Sequence, residues 1–218
     1  MEDRTRINRF SVDPGNLHPP TRALVLNGAL AGDETLAPVE GALLELLAEA
    51  GTEVRTYSLR DVPLAHCQGC FECWTRSPGL CKTDGDAGRE ISAAMIQSDL
   101  TVLLSPVTFG GYSSEIKKVL DRSICLVLPF FRRDGGEVHH KRRYRRYPAL
   151  AAVGVLWEPD EEQERIFRAL VERNARNLDS PLPAVTCVLP AAAPRKVVRN
   201  ALEASLQPVL AQLARGVA

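Results

Sequence analysis

Short apolar runs alternate with longer segments that repeat their apolar positions at helical spacing along most of this chain. Runs rich in apolar and β-branched residues predict five strands, at residues 23–26, 53–59, 100–105, 150–156 and 185–189. The intervening segments predict five helices, at residues 36–50, 86–98, 113–120, 161–178 and 197–213. Strands that alternate with helices are typical of parallel βαβ units. The pattern therefore predicts an α/β fold, a doubly wound five-stranded parallel sheet with helices on both faces.

The first 20 residues interrupt this pattern because they are polar and include three prolines. They predict an extended N-terminal arm, and residues 21–218 are predicted to form one domain. The arm contains six charged residues and no apolar core, so we expect no secretory signal. The longest apolar run, residues 149–157, is nine residues long and too short to span a bilayer. We therefore expect a cytoplasmic protein without a membrane partner.

Composition and charge narrow the classes of function. Twenty-seven basic residues balance 27 acidic residues, so the formal net charge is zero and does not favour binding to nucleic acid. A hydrophobic content of 45% is typical of a globular domain and too high for a disordered chain. In a cytoplasmic protein, six cysteines indicate metal ligation or reactive thiols rather than disulfides. Cys125 and Cys187 lie in apolar runs and are expected to be buried.

The loops that follow the first, third and fourth predicted strands are the expected ligand site. In an open parallel sheet, ligands bind beyond the carboxyl ends of the strands, where the strand order reverses. The first of these loops, residues 27–35, contains Gly28 and Gly32 and leads into a helix whose free amides favour a phosphate. Asp33 or Thr35 is expected to cap that helix. The loop matches neither a nucleotide-hydrolysing nor a dinucleotide-binding motif, and a plain strand–helix turn explains its glycines equally well.

The loop after the third strand carries a more specific pattern. Residues 105–122 read SPVTFGGYSSEIKKVLDR. This run resembles the flavin-ring loop and following helix of the NAD(P)H-dependent FMN reductases, a flavodoxin-like family. The resemblance implies a flavodoxin-like fold, FMN as cofactor and NAD(P)H as electron donor. It also implies two sets of cofactor-binding residues: Pro106, Val107, Thr108, Phe109, Gly110 and Gly111 at the ring, and Gly28, Ala29, Leu30, Gly32, Thr35 and Leu36 at the phosphate.

Three residues depart from the family pattern. Thr108 stands where the family usually has an aromatic residue, and Ala29 stands where a serine usually contacts the phosphate. Asp33 adds a negative charge to the phosphate loop. We therefore expect phosphate binding to depend on backbone amides and on Thr35.

Four cysteines between the second strand and the second helix form another specific motif. They are spaced C-x2-C-x2-C-x7-C, at Cys67, Cys70, Cys73 and Cys81. Thiolates at such spacing can converge on one metal centre, with Pro78 and Gly79 reversing the chain before the last of them. The motif resembles that of the iron–sulfur flavoproteins, which implies a [4Fe-4S] cluster beside FMN. The alternative is that the cysteines are structural, in a loop whose Trp74 covers the flavin.

Residues 132–146 concentrate seven basic residues against two acidic ones. A solvated loop explains such a run, and nucleic-acid binding would need a fold signature that the chain lacks. The interpretation we favour is an insertion near the flavin that recognises an anionic partner: the NADPH phosphate, an acidic substrate or another subunit. At most one of His139 and His140 is expected to transfer protons there, because adjacent side chains of an extended segment point in opposite directions.

These observations lead to three functional hypotheses. The first is an FMN-dependent oxidoreductase that takes electrons from NAD(P)H and passes them to a quinone-like or other small-molecule acceptor. Under this first hypothesis no side chain is predicted to be catalytic, since the flavin supplies the redox chemistry. The second is an iron–sulfur flavoprotein, a one-electron carrier that serves a redox partner protein. The third is a cofactor-free regulatory or interaction domain, for which Ala29 and Asp33 are the argument. The resembling family and the proline-rich arm predict a homodimer or homotetramer.

Overall fold

Five parallel strands form the central sheet of the structure, a computed structural model that describes residues 21–216. The strands in that range are β1 (Arg22–Asn27), β2 (Glu53–Ser58), β3 (Leu100–Pro106), β4 (Val127–Asp134), β5 (Glu137–Arg142), β6 (Ala149–Leu156) and β7 (Val185–Pro190). The sheet has the order β2-β1-β3-β6-β7, with each neighbouring pair parallel. This order confirms the predicted doubly wound sheet. The predicted N-terminal arm lies outside the described residues.

Helices cover both faces of the sheet, as predicted. Within the described residues they are α1 (Ala37–Glu49), α2 (Glu72–Thr75), α3 (Gly88–Gln97), α4 (Ser114–Arg122), α5 (Glu161–Asn177) and α6 (Arg195–Ala214). α1 and α6 pack on one face, and α3, α4 and α5 pack on the other. α2 is a single turn inside the cysteine-containing loop, and the sequence pattern does not predict it. None of the helices in residues 21–216 has both the length and the apolar character needed to cross a membrane.

Alternate residues of the central strands contribute to the two cores. In β1, Ala23 and Val25 belong to the core under α1 and α6. Leu24 and Leu26 belong to the core under α3, α4 and α5. Every residue of β6 is buried. A strand that is covered by helices on both faces has no polar side, which is why these strands appear in the sequence as continuous apolar runs.

β4 and β5 form an antiparallel hairpin outside the main sheet, at the position of the predicted basic insertion. Asp134 pairs with Glu137, so a two-residue turn connects the strands. Both turn residues, Gly135 and Gly136, have positive φ angles, 57° and 85°. Two consecutive positive φ angles are typical of the hairpin turns whose twist suits the flanking strands. The Gly-Gly pair is therefore the sequence signal that distinguishes this hairpin from a solvated loop.

Candidate functional site

The loops after β1 and β3 meet at the carboxyl ends of these neighbouring strands, where the strand order reverses. Gly28 lies at the contact, and its amide donates to the Leu104 carbonyl oxygen over 2.8 Å. A Cβ on Gly28 would lie 2.5 Å from Ile116 Cγ1 and 2.6 Å from Ser113 Oγ. Only glycine fits so close to the N-terminus of α4, where Ser113 is the N-cap and accepts from the Ile116 amide. The structure thus brings the two predicted loops together.

Asp33 and Thr35 form a turn immediately before α1. The Thr35 amide and hydroxyl both donate to Asp33 Oδ1, over 2.9 and 2.6 Å. α1 begins at Ala37, with Leu36 in the N-cap position and no side-chain cap. The prediction that Asp33 or Thr35 caps this helix is therefore wrong, because the two residues bond to each other ahead of it.

The predicted phosphate-side residues present mainly backbone to the site. The side chains of Ala29 and Leu36 are buried in the core under α1 and α6. The Ala29 amide donates to Asn27 Oδ1 over 2.9 Å, so it is already engaged. Leu30 and Gly32 are exposed. An anion at this loop would therefore depend on exposed backbone and on the positive end of the α1 dipole.

Arg60 holds this loop from the segment that follows β2. Its guanidinium donates to the carbonyl oxygens of Leu30 (3.3 Å) and Asp33 (2.7 Å) and to the Glu34 carboxylate (3.0 Å). No local sequence pattern predicts this role for Arg60, because the contact joins segments more than 25 residues apart. Arg60 thus brings a positive charge to the phosphate-side loop.

The loop after β3 is closed by backbone hydrogen bonds and projects an aromatic side chain. Thr108 and Gly111 exchange hydrogen bonds over 3.2 and 2.9 Å, which closes a tight turn around Phe109. Phe109 has a φ of 52° and is 91% exposed. Non-glycine residues with positive φ are strained, and such strain is concentrated at ligand sites. Phe109 thus offers a flat apolar surface to a ligand.

Gly110 and Gly111 make different contributions to this loop. The Gly110 amide donates to Gln163 Oε1 over 3.3 Å, and a Cβ at this position would lie 2.5 Å from the Ile166 side chain of α5. A Cβ at Gly111 would make only an ordinary contact of 3.5 Å, with the Thr108 carbonyl oxygen. Gly110 therefore permits close packing on α5, whereas Gly111 leaves open space.

Trp157 extends the candidate site beyond the predicted residues. It directly follows β6, the strand next to β3, and it is 76% exposed. A ligand loop is predicted at this point from the sequence, without an assigned residue. An exposed tryptophan directly after a wholly buried strand is the signal that identifies it.

The four motif cysteines line one cavity of about 300 Å³ beside the end of α4. Cys67 and Cys70 are exposed, Cys73 is buried and Cys81 is partly buried. The Gly79 amide donates to the Cys73 carbonyl oxygen over 2.9 Å, and Gly79 has a φ of 87°. The predicted reversal at Pro78 and Gly79 therefore occurs and returns Cys81 to the other three.

The lining of the cysteine cavity includes the four thiols that a four-iron cluster requires. Within residues 21–216, no three His, Cys, Asp or Glu side chains are placed closely enough to hold one metal ion. A four-iron cluster distributes its thiolate ligands over separate iron atoms, so it requires cysteines around a cavity rather than around a point. Burial, together with the neighbouring cysteines, raises the pKa of Cys73 to about 11. Its thiol is therefore neutral near pH 7 until a metal binds.

Arg122 attaches both ends of the cysteine-containing loop to α4. Its buried guanidinium donates to the carbonyl oxygens of Ala65 (3.3 Å) and Thr83 (3.2 Å), on either side of the motif. It lies directly against Gly88, where a Cβ would be 2.3 Å from the Arg122 guanidinium carbon. The absence of a side chain at Gly88 is what makes room for Arg122.

Trp74 attaches the middle of the same loop to the start of the hairpin. Its indole nitrogen lies 3.0 Å from each of the carbonyl oxygens of Ile124 and Val127. Its ring stacks on Phe71, with centroids 5.2 Å apart, and packs against His140, with centroids 5.0 Å apart. Trp74 thus packs between the cysteine-containing loop and the hairpin, and its role as a flavin cover stays a prediction.

The basic hairpin packs on the C-terminal half of α5. Glu137 accepts from Arg173 (2.8 Å) and from Arg176 (3.1 Å). The flavin-ring loop contacts the same helix at two places, since the Gly110 amide donates to Gln163 Oε1 and the Asn174 side-chain amide donates to the Tyr112 hydroxyl over 3.3 Å. The expectation that the insertion lies near the flavin stays a prediction.

The adjacent histidines of the hairpin have different partners. His139 is 5% exposed and lies 2.9 Å from Glu137 Oε2 and 3.1 Å from Asn177 Oδ1. His140 Nδ1 lies 2.7 Å from the Leu128 carbonyl oxygen, and its ring packs between Trp74 and Phe131. Both rings thus stabilise the attachment of the hairpin.

Cys125 and Cys187 are buried, as predicted.

A family model described as NADPH-dependent FMN reductase matches residues 21–179, a range that includes both loops and the cysteine motif. The chain belongs to this family. Family membership confirms the resemblance seen in residues 105–122.

Curated relatives of this FMN reductase family member are similar over part of their length. An iron-sulfur flavoprotein of Methanocaldococcus jannaschii is 38% identical over 109 residues, which cover 49% of this chain and 54% of the relative. An iron-sulfur flavoprotein of Methanosarcina thermophila is 30% identical over 101 residues, which cover 46% of this chain and 51% of the relative. The chain thus spans about half the length of the curated relatives it matches.

Solved structures share the fold at low sequence identity. RosB with a bound 8-demethyl-8-formylriboflavin-5'-phosphate has a TM-score of 0.62 at 15% identity, over 91% of this chain and 82% of that one. The NAD(P)H:quinone oxidoreductase from Methanothermobacter marburgensis has a TM-score of 0.61 at 14% identity, over 85% of this chain and 97% of that one. These likenesses show the fold.

Proposed function

We propose that this chain is an FMN-dependent oxidoreductase that takes electrons from NAD(P)H and passes them to a quinone-like or other small-molecule acceptor. The observation that carries the proposal is the junction of the loops after β1 and β3, held together at Gly28 in a member of the FMN reductase family. An open parallel sheet binds a mononucleotide at such a junction.

The two loops would hold different parts of FMN. The exposed backbone around Gly32, which has a φ of 77°, would lie beside the phosphate at the N-terminus of α1. Phe109 and Trp157 are the exposed aromatic side chains that would exclude water from the ring. Bound FMN supplies the redox chemistry, while the chain binds FMN, orients it and limits the access of water to its ring.

The absorption spectrum of anaerobically purified protein tests this proposal. We expect flavin bands that are retained on gel filtration and bleached by NAD(P)H. After removal of the flavin, FMN should rebind with a Kd of about 1 μM or tighter, which corresponds to roughly 8 kcal/mol. Protein that retains no flavin and does not rebind FMN at this level would contradict the proposal.

The cysteine cavity supports a second candidate, an iron–sulfur flavoprotein. In this case Cys67, Cys70, Cys73 and Cys81 would hold a [4Fe-4S] cluster, and the chain would pass single electrons to a redox partner protein. The support is that all four cysteines line one cavity and that the two curated relatives described above are iron-sulfur flavoproteins. Iron and acid-labile sulfide, measured after anaerobic reconstitution, test this candidate. About four irons per chain are expected, and iron-free protein would contradict it.

We further propose that the chain forms a homodimer or homotetramer with the flavin sites close to the subunit boundary. Three apolar side chains of the hairpin support self-association because they are largely exposed: Phe130 and Phe131 at 62% and Val138 at 61%. Light scattering at micromolar concentration is the test, and a species of monomer mass alone would contradict the proposal.

A cytoplasmic location is also proposed. The support is that all six cysteines are free thiols, as expected in a reducing compartment. Cell fractionation with thiol labelling before lysis tests it, and labelling of Cys67 and Cys70 in intact cells would contradict it.

A further inference from the structure

Asp33 places its own carboxylate on the donors that face the start of α1. The Thr35 amide and the Thr35 hydroxyl both donate to Asp33 Oδ1, over 2.9 and 2.6 Å. A backbone amide and a hydroxyl ahead of a helix N-terminus are the donors that a phosphate commonly uses. In this loop the Asp33 carboxylate already accepts hydrogen bonds from both donors.

The charges around the loop oppose a second anion. Asp33 and Glu34 carry adjacent carboxylates, and Arg60 pairs with the carboxylate of Glu34 while it contacts Asp33 at the backbone carbonyl oxygen. Arg60 is already engaged, because it donates to Glu34 and to the carbonyl oxygens of Leu30 and Asp33. A phosphate beside the exposed backbone around Gly32 would gain the Thr35 donors only by displacing Asp33, and it would remain close to a like charge.

The ring side of the site is independent of Asp33. Phe109 and Trp157 follow β3 and β6, whereas Asp33 follows β1, and none of the contacts of Asp33 involves them. The contacts of the isoalloxazine ring can therefore contribute their full share of the binding free energy, while the contacts of the phosphate contribute less.

We propose that Asp33 determines flavin specificity in this chain, competing with the flavin phosphate for Thr35 so that riboflavin binds almost as tightly as FMN. The inference rests on the proposed function, since it requires a flavin site between the loops after β1 and β3. It identifies the ligand class as flavins in general rather than phosphorylated flavins alone.

Quenching of flavin fluorescence by flavin-free protein measures the affinities for FMN and riboflavin directly. For the wild type, the two Kd values should agree within about 10-fold. Asp33→Ala frees Thr35 and should tighten FMN binding by about 10-fold or more, while the Kd for riboflavin changes by less than about 2-fold. Thr35→Val in the Asp33→Ala background should remove that gain, because the two residues act as one unit.

Glu40→Ala is the matched control, because Glu40 is an acidic residue of the first turn of α1 and makes no bond to Thr35. It should tighten FMN binding much less than Asp33→Ala does. Thermal unfolding confirms that each variant is folded. A wild type that binds FMN more than about 100-fold tighter than riboflavin, or equal gains from Asp33→Ala and Glu40→Ala, would overturn the inference alone. Failure of the wild type to bind either flavin would overturn the proposed function together with the inference.

Discussion

Arg122 forms a buried ion pair with Asp86, which joins the end of α4 to the segment that leads into α3. The two side chains are 1% and 8% exposed. Asp86 also accepts from the amides of Ala65 and Gly88, each over 3.0 Å. Burial alone would raise the pKa of Asp86, but Arg122 and the two amides outweigh it and lower the pKa. The pair is therefore ionised at neutral pH.

Removal of one partner of this pair should destabilise the protein strongly. Asp86→Ala leaves the Arg122 guanidinium buried without a counter-charge, which typically costs about 3–5 kcal/mol. Urea unfolding followed by circular dichroism measures the free energy of unfolding. The control is Asp121→Ala, which breaks the exposed ion pair with Lys117 and should cost less than about 1 kcal/mol. If both variants lose a similarly small amount of unfolding free energy, the Arg122–Asp86 ion pair contributes little to stability.

Gly111→Val should weaken FMN binding without unfolding the protein. A Cβ at this position meets nothing closer than the Thr108 carbonyl oxygen at 3.5 Å, so the chain itself accommodates the substitution. A β-branched side chain would instead fill the space that we assign to the ring. We expect the Kd for FMN, measured by fluorescence quenching, to rise by about 100-fold, equivalent to roughly 2.7 kcal/mol.

Gly41→Val controls for the substitution itself, because a Cβ at Gly41 has no neighbour within 4 Å. Its Kd for FMN should equal that of the wild type. An unchanged Kd in Gly111→Val would place the ring elsewhere.

Cys70→Ser should prevent assembly of an iron–sulfur cluster while leaving FMN in place. Cys70 is exposed and lines the cysteine cavity, so its replacement removes a ligand at little cost in stability. Iron, acid-labile sulfide and flavin are measured after anaerobic reconstitution. Cys187→Ala, at a buried position in β7, should retain the full complement of iron. Equal iron content in the two variants would exclude Cys70 as a ligand.

Acid should release the hairpin from α5 through Glu137. Arg173, Arg176 and His139 lower the pKa of Glu137 from 4.5 to about 2. Because the folded-state pKa is lowered, these contacts stabilise the fold fully above pH 4.5, and the stabilisation is lost as the pH falls from 4.5 through about 2. The difference in urea midpoint between the wild type and Glu137→Gln should therefore shrink over that range and stay constant above it.

Glu162→Gln is the control for this pH dependence, since Glu162 pairs with its helix neighbour Arg165 on an exposed surface of α5. Its effect on the urea midpoint should be small at every pH. A wild-type advantage over Glu137→Gln that does not change between pH 6 and pH 3 would contradict the assignment to Glu137.

The central strands and helices could be predicted because their signals are local. β6 is buried along its whole length, and an uninterrupted apolar run is the direct consequence of burial on both faces. The flavin-ring loop could be located for a related reason, since its one proline and two glycines fall within six residues that follow a predicted strand.

The contacts that hold the site in place could not be predicted, because they join distant parts of the chain. Arg60 reaches back 27 residues to Asp33, and Arg122 reaches back 57 residues to Ala65. Trp74 bonds to carbonyl oxygens 50 and 53 residues further along. Nothing in the local sequence distinguishes these side chains from solvent-exposed ones, so only the packed fold reveals their partners.

The attachment of Trp74 has a practical spectroscopic consequence. The chain contains two tryptophans, and they report on different places. Trp74 is held by two carbonyl oxygens next to the cysteine cavity, whereas Trp157 is 76% exposed beside the loop after β3. Indole emission from Trp74→Phe therefore reports the surroundings of Trp157, and emission from Trp157→Phe reports the surroundings of Trp74, so each region has its own optical signal in an unlabelled protein.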